Sequence, residues 1–154
     1  MTDLADDFKQ NLKGKVCVIG IGNRFKGDDA AGPELIDRIA GHGRFLCLDA
    51  GVAPENYLEK IVRIKPDTIL LVDAMDFGGV AGSCRLFPAD QVTGGGLSSH
   101  ALSLRMTCDY LQQRISARIF VLGIQPAQVN MNEPLSAAVS AAVEKLAAEL
   151  GTRA

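Results

Sequence analysis

The sequence predicts an α/β fold of three layers, a mostly parallel, open twisted sheet of about five strands flanked by helices. Three observations carry that expectation. Strand-sized apolar runs alternate with segments of helical periodicity. The clearest internal run, TILLVDA at 68–74, is apolar on both faces until it ends at Asp73, which suits a parallel strand covered on both sides. Several strand exits are glycine-rich or acidic, and right-handed crossovers would line them along one edge of the sheet.

The elements follow in order. Residues 1–14 form a flexible or helical lead, 15–150 one α/β domain and 151–154 a tail. KVCVIGI at 15–21 reads as a buried strand whose exit, GIGNRFKGDDAAG, leads into a helix in PELIDRIAG. Pro33 fits the first turn of that helix and Gly41 its stop. RFLCLDA at 44–50 is the next strand, and GVAPENYLEKIVRI supplies a second helix with a proline near its start. After the strand at 68–74 comes the turn-rich DFGGVAG, then SCRLF at 83–87 as a short edge or antiparallel strand. QVTGGGLSSH is a loop in which Gly94, Gly95 and Gly96 permit unusual backbone geometry. A helix at 101–114 sets Leu104, Cys108, Leu111 and Ile115 near one face. RIFVLGI at 118–124 is the last strand. The final helix begins near Pro134, with Leu135, Val139, Val143, Leu146 and Leu150 on its apolar side.

The chain has 154 residues, 47% of them apolar, enough for one self-sufficient core and consistent with a monomer. A formal charge of -2 with scattered basic residues argues against a nucleic-acid partner. No apolar run approaches the roughly 20 residues that cross a bilayer as a helix. The acidic start MTDLADDF lacks the order of a signal peptide, so the expected compartment is the cytoplasm. Four cysteines at 17, 47, 84 and 108 show no CxxC spacing. Cys17 and Cys47 lie in strand-like runs and read as small hydrophobes, while Cys84 and Cys108 carry no local mark of an activated thiolate.

Gly20 and Gly22 follow a strand, and Asp49 at the end of the next strand resembles a ribose-binding acid, so a dinucleotide-binding oxidoreductase is one reading. Phe25, however, stands where the third glycine of GxGxxG belongs, and Asp28 and Asp29 put negative charge where a pyrophosphate would bind. No P-loop, HExxH or GxSxG is present, and Ser98 and Ser99 beside His100 do not make a triad. Asp29 after the first strand, Asp73 at the end of the third and His100 after the glycine-rich loop occupy positions that an open α/β sheet can bring to one crevice. Two carboxylates and an imidazole can ligate a divalent transition metal and leave room for a water or substrate ligand. At this level Asp28 reads first as a cap of its helix, Asp29 is open to the same role, Asp73 to capping a turn, and His100 to starting a helix or sitting in the core. A shared proton between Asp29 and Asp73, as in aspartic proteases, needs a close approach that spacing does not establish.

Five ordered segments, GIGNRFKGDDAAGPELIDRI, LDAGVAPENYLEKI, ILLVDAMDFG, LSSHALSL and VLGIQP, resemble the [NiFe]-hydrogenase maturation endopeptidase family, and more narrowly the proteases that process hydrogenase-3-type large subunits. The resemblance runs from about residue 15 through the last helix. It implies a peptidase that removes a C-terminal extension from a nickel-loaded large-subunit precursor, a transient partner. It implies that Asp29, Asp73 and His100 contact nickel or a substitute metal, with aspartate at position 29 where relatives can carry glutamate. On this reading nickel travels with the precursor and no permanent cofactor is expected. Either a carboxylate or a metal-associated water can then assist hydrolysis. Gln125 and Pro126, just beyond the last strand, border the expected cleft as peripheral residues, while Asn23 is open to orienting the first loop, to contacting substrate backbone through its amide, or to an ordinary turn. A noncatalytic, nickel-dependent chaperone using the same contacts is the alternative that cleavage would exclude.

Overall fold

The computed structural model describes residues 3–41, 44–92 and 101–151, the side chains of 101–103 excepted. The strands β1 (Val16–Ile21), β2 (Leu46–Gly51), β3 (Thr68–Ala74), β4 (Cys84–Pro88) and β5 (Arg118–Ile124) form one sheet in the order β2-β1-β3-β5-β4. β2, β1, β3 and β5 run parallel, and β4 closes the edge antiparallel to β5. The short segment at 83–87 is thus the antiparallel edge strand that its length and turn-rich approach suggest.

Every residue of β1 and β3 is buried because both faces of the sheet are covered. Alternation sends Val16, Val18, Leu70 and Val72 to one face, where α1 (Leu4–Asn11), α2 (Ala31–Ile39) and α5 (Ala137–Gly151) supply Phe8, Leu35 and Val143. Cys17, Ile19, Ile69 and Leu71 face the other way, against Ile61 of α3 (Leu58–Ile64) and Leu104, Cys108 and Leu111 of α4 (Ala101–Arg114). The three layers expected from the alternating pattern are therefore present.

Local chemistry sets the helix ends. α2 follows a 3-10 turn at Gly27–Ala30, and Pro33 sits in its first turn, where a missing N–H leaves no internal bond unmade. α3 follows a 3-10 turn at Pro54–Tyr57 and stops at Lys65, which adopts a left-handed conformation. The last helix begins at Ala137, three residues beyond Pro134, because Ser136 turns its hydroxyl back to accept from the Val139 N–H at 3.3 Å. Leu135 packs against the core just ahead of the helix.

The strand order creates a switch point. From β1 the chain crosses to β2 on one side, and from β2 it returns past β1 to β3 on the other. The connections leave β1 and β3 in opposite directions, so the C-terminal ends of these two neighbours form the switch point at which an open α/β sheet presents a crevice to a ligand.

Candidate functional site

The two acids singled out by the sequence both belong to that end of the sheet. Asp73 is the penultimate residue of β3 and fully buried, and Asp29 rides on the 3-10 turn immediately after β1, 4% exposed. Two glycines let the turn lie that close. A Cβ on Gly22, at φ +149°, would stand 1.8 Å from the Asp29 carbonyl oxygen, and one on Gly32 would stand 2.6 Å from the carbonyl oxygens of Ile21 and Val72. The start of α2 is thereby pressed onto the ends of β1 and β3. The Asn23 backbone N–H donates to Asp29 Oδ2 at 2.9 Å and orients the carboxylate, while the Asn23 side chain accepts from Phe25 N–H at 2.9 Å in an ordinary turn. His100 lies outside the described residues, as do Gly94, Gly95, Gly96, Ser98 and Ser99. Among the described residues no three histidine, cysteine or acidic side chains converge to hold a metal ion. Asp29 and Asp73 thus contribute two oxygen-donor groups at this end of the sheet, and the third member of the expected set is His100.

Asp28 does different work from its neighbour. It is fully buried and caps no turn of its own helix. Its carboxylate accepts from the backbone N–H groups of Ala127 at 2.8 Å, Gln128 at 3.3 Å and Ser136 at 2.7 Å, and from the Ser136 hydroxyl at 2.9 Å. Asp28 therefore pins the loop after β5 and the start of α5 to the turn that carries Asp29. Gln125, expected only at the periphery of the cleft, is a second organiser. Its Oε1 accepts from Phe77 N–H at 2.9 Å and Gly79 N–H at 3.0 Å, and its Nε2 donates to Asp76 Oδ1 at 3.0 Å. These bonds shape the loop that leaves β3 just past Asp73. The available sequence signal is a polar residue placed directly after a strand that is apolar and buried from Ile119 onward, where burial demands partners. The Gln125 bond, seconded by Gly78 N–H, holds the Asp76 carboxyl below its ordinary pKa.

Beside Asn23 a cleft of about 290 Å³ is lined by Arg24, Phe25, Asp49 and Val52 among others. Arg24 grips Asp37 with two hydrogen bonds at 2.6 and 2.8 Å and reaches Asp49 at 2.8 and 3.2 Å. The bond from Arg24 holds Asp37 below the usual carboxylate range, and donating to Asp37 first and then to Asp49 raises the pKa of the Arg24 guanidinium. Asp49 is thus engaged by a guanidinium, Phe25 replaces the third glycine and is 70% exposed, and Asp29 and the buried Asp28 occupy the helix start. The arrangement does not suit a dinucleotide. A larger hollow of about 500 Å³, bordered by Lys65, Asp67 and Arg114, opens at the opposite end of the sheet.

Cysteine chemistry has no footing here. Burial first of all pushes the thiols of Cys17, Cys84 and Cys108 up to about 11, and raises that of Cys47.

Comparison with known proteins agrees with this fold. A family model described as hydrogenase maturation protease matches residues 32–152. The Hydrogenase 3 maturation protease of Escherichia coli K12 is 35% identical over 127 residues, 80% of this chain and 81% of that protein. The crystal structure of a [NiFe] hydrogenase maturation protease, HycI, from Thermococcus kodakarensis KOD1 superposes with a TM-score of 0.84 at 32% identity, covering 96% of both chains. The solution structure of an endopeptidase HycI from Escherichia coli gives a TM-score of 0.77 at 30% identity, covering 88% of both.

Proposed function

The chain belongs to the hydrogenase maturation protease family, and from that membership we propose how its acids meet their substrate. It is a peptidase that processes a hydrogenase large-subunit precursor. In the proposed reading the precursor arrives with nickel already inserted. Asp29, Asp73 and His100 contact that nickel, which is part of the substrate and no resident cofactor of this chain. The contact checks that the metal is in place and sets the C-terminal extension beside the crevice. Holding the scissile peptide there removes much of the entropic cost of reaching a reactive geometry. A carboxylate of the crevice, or a water associated with the precursor's nickel, then assists hydrolysis.

The observation that carries this reading is the delivery of two well-buried carboxylates, by a turn after β1 and by the end of β3, to the switch point of the sheet. Burial sharpens their interaction with a divalent cation, because little water competes for the same oxygens. Among the described residues no helix is long and apolar enough to cross a membrane. Action in the cytoplasm, as a monomer that releases its product, is part of the same proposal.

The test is incubation of the purified chain with the large-subunit precursor, with and without nickel, followed by intact mass measurement. Loss of one C-terminal peptide from the nickel-loaded form alone, abolished by Asp29→Asn or Asp73→Asn, is the expected result. Cleavage of the nickel-free precursor at the same rate would overturn the metal-checking role.

A further inference from the structure

The exposed apolar side chains are unevenly distributed. Among the described residues Phe25, Val52, Val80, Val129 and Met131 stand in loops at the C-terminal ends of strands, whereas Leu46 and Met106 lie elsewhere. Isolated exposed apolar residues need no explanation, but a concentration around one end of a sheet marks a contact surface. Three of the five are linked. Phe25 and Val52 line the same cleft of about 290 Å³. The Phe25 carbonyl accepts from the Asn132 N–H at 2.7 Å, which ties the residue next to Met131 to Phe25. Their exposures are 70% for Phe25, 53% for Val52 and 60% for Met131.

The cleft that Phe25 and Val52 line adjoins the candidate site. Asn23, which helps line the cleft, donates through its backbone to the Asp29 carboxylate. The charges in the cleft are largely spent on one another, since Arg24 is bound to both Asp37 and Asp49. Apolar contact is then the recognition chemistry that the cleft has left to offer.

We propose that Phe25, Val52 and Met131 form the docking strip for the precursor's C-terminal segment, seating its apolar side chains beside the bond to be cut. The inference rests on the reading that the precursor is processed at the Asp29–Asp73 crevice. The precursor is the occupant because whatever sits here borders Asp29. A second copy of this chain on the strip would shut the crevice to a protein substrate.

The test measures initial rates of nickel-loaded precursor cleavage for the wild type and for Phe25→Ser, Val52→Ser and Met131→Ser. Leu46→Ser, an exposed apolar position at the start of β2, is the control. Phe25→Ser is expected to raise KM about tenfold with little change in kcat, the size expected when one buried apolar contact is lost. Met131→Ser and Val52→Ser follow in the same direction, and Leu46→Ser matches the wild type. All four positions are exposed, so thermal midpoints serve to confirm that the fold is unchanged. Unaltered KM in the Phe25 and Met131 variants, or an equal rise in Leu46→Ser, overturns the strip. So does a wild-type dimer that Phe25→Ser dissociates. A wild type that fails to cut the precursor defeats the reading of the crevice itself, which separates the two failures.

Discussion

Asp28 and Ser136, separated by 108 positions in the chain, meet through two hydrogen bonds, from the Ser136 N–H to Oδ1 at 2.7 Å and from its hydroxyl to Oδ2 at 2.9 Å. With the Ala127 and Gln128 N–H groups added, a single buried carboxylate answers four donors. Replacing it by alanine strands those donors away from water. Asp28→Ala is therefore expected to lower stability by about 3 kcal/mol, and Asp28→Asn by roughly half as much because one acceptor oxygen survives. Urea denaturation measures both. A loss in Asp28→Ala below about 1 kcal/mol would mean that water takes over the carboxylate's place.

The contact between Gly22 and the Asp29 turn leads to a second expectation. Gly22→Ala would drive a methyl group to within 1.8 Å of a backbone oxygen, at a φ of +149° that side chains rarely adopt. Neither conflict can be relieved by rotating a side chain, so the turn itself must shift. The variant is expected to lose about 2–4 kcal/mol of stability and most of its cleavage activity, since the carboxylate orientation set by Asn23 goes with the turn. Denaturation and precursor cleavage measured together check this. Full activity at reduced stability would show that the position of the Asp29 turn is not critical.

Much of this fold is legible in the sequence because both faces of the sheet are covered. Strands buried on two sides read as unbroken apolar runs, and β3 and β5 span the runs at 68–74 and 118–124 without adjustment. Helix starts are less legible where a 3-10 turn precedes the helix, as before α2 and α3, or where a serine cap moves the start, as at Ser136. The adjacent acids show the deeper limit. Asp28 and Asp29 are identical in type and neighbours in sequence, and only the fold assigns Asp28 to donors around residue 136 and Asp29 to Asn23. Gln125 was undervalued for the same reason, as its partners Phe77 and Gly79 lie more than 40 positions away in the chain.

Gln125 and Asp76 yield a pH-dependent prediction. Hydrogen bonds from Gln125 and then Gly78 N–H hold the Asp76 carboxyl below its ordinary pKa. A group depressed in the folded state contributes stability that is present above its unfolded value and lost as pH falls through its folded value. Asp76 is exposed, so the effect belongs to the loop at 75–83 more than to global stability. In Gln125→Leu the Asp76 titration, followed by NMR, is expected to move up toward an ordinary carboxylate, and amide exchange at Phe77 and Gly79 to quicken at neutral pH. An unmoved titration would show that the Gly78 bond alone sets it.

The cysteines supply the last prediction, which separates acid-based from thiol-based hydrolysis. With Cys17, Cys84 and Cys108 pushed to about 11 by burial, the thiolate at pH 7.5 is on the order of one molecule in a few thousand at each site. A cysteine nucleophile needs the opposite environment, a positive neighbour or helix start that lowers the thiol. Treatment of the native protein with iodoacetamide at pH 7.5 is therefore expected to leave precursor cleavage at its untreated rate. Cys108→Ala, at a fully buried site between α4 and the sheet, is expected to keep cleavage while losing about 1 kcal/mol of stability to the smaller side chain. Inactivation that tracked the modification of any one of the four thiols would bring a thiolate into the reaction. It would then move the chemistry away from the Asp29–Asp73 crevice, leaving those acids with recognition alone.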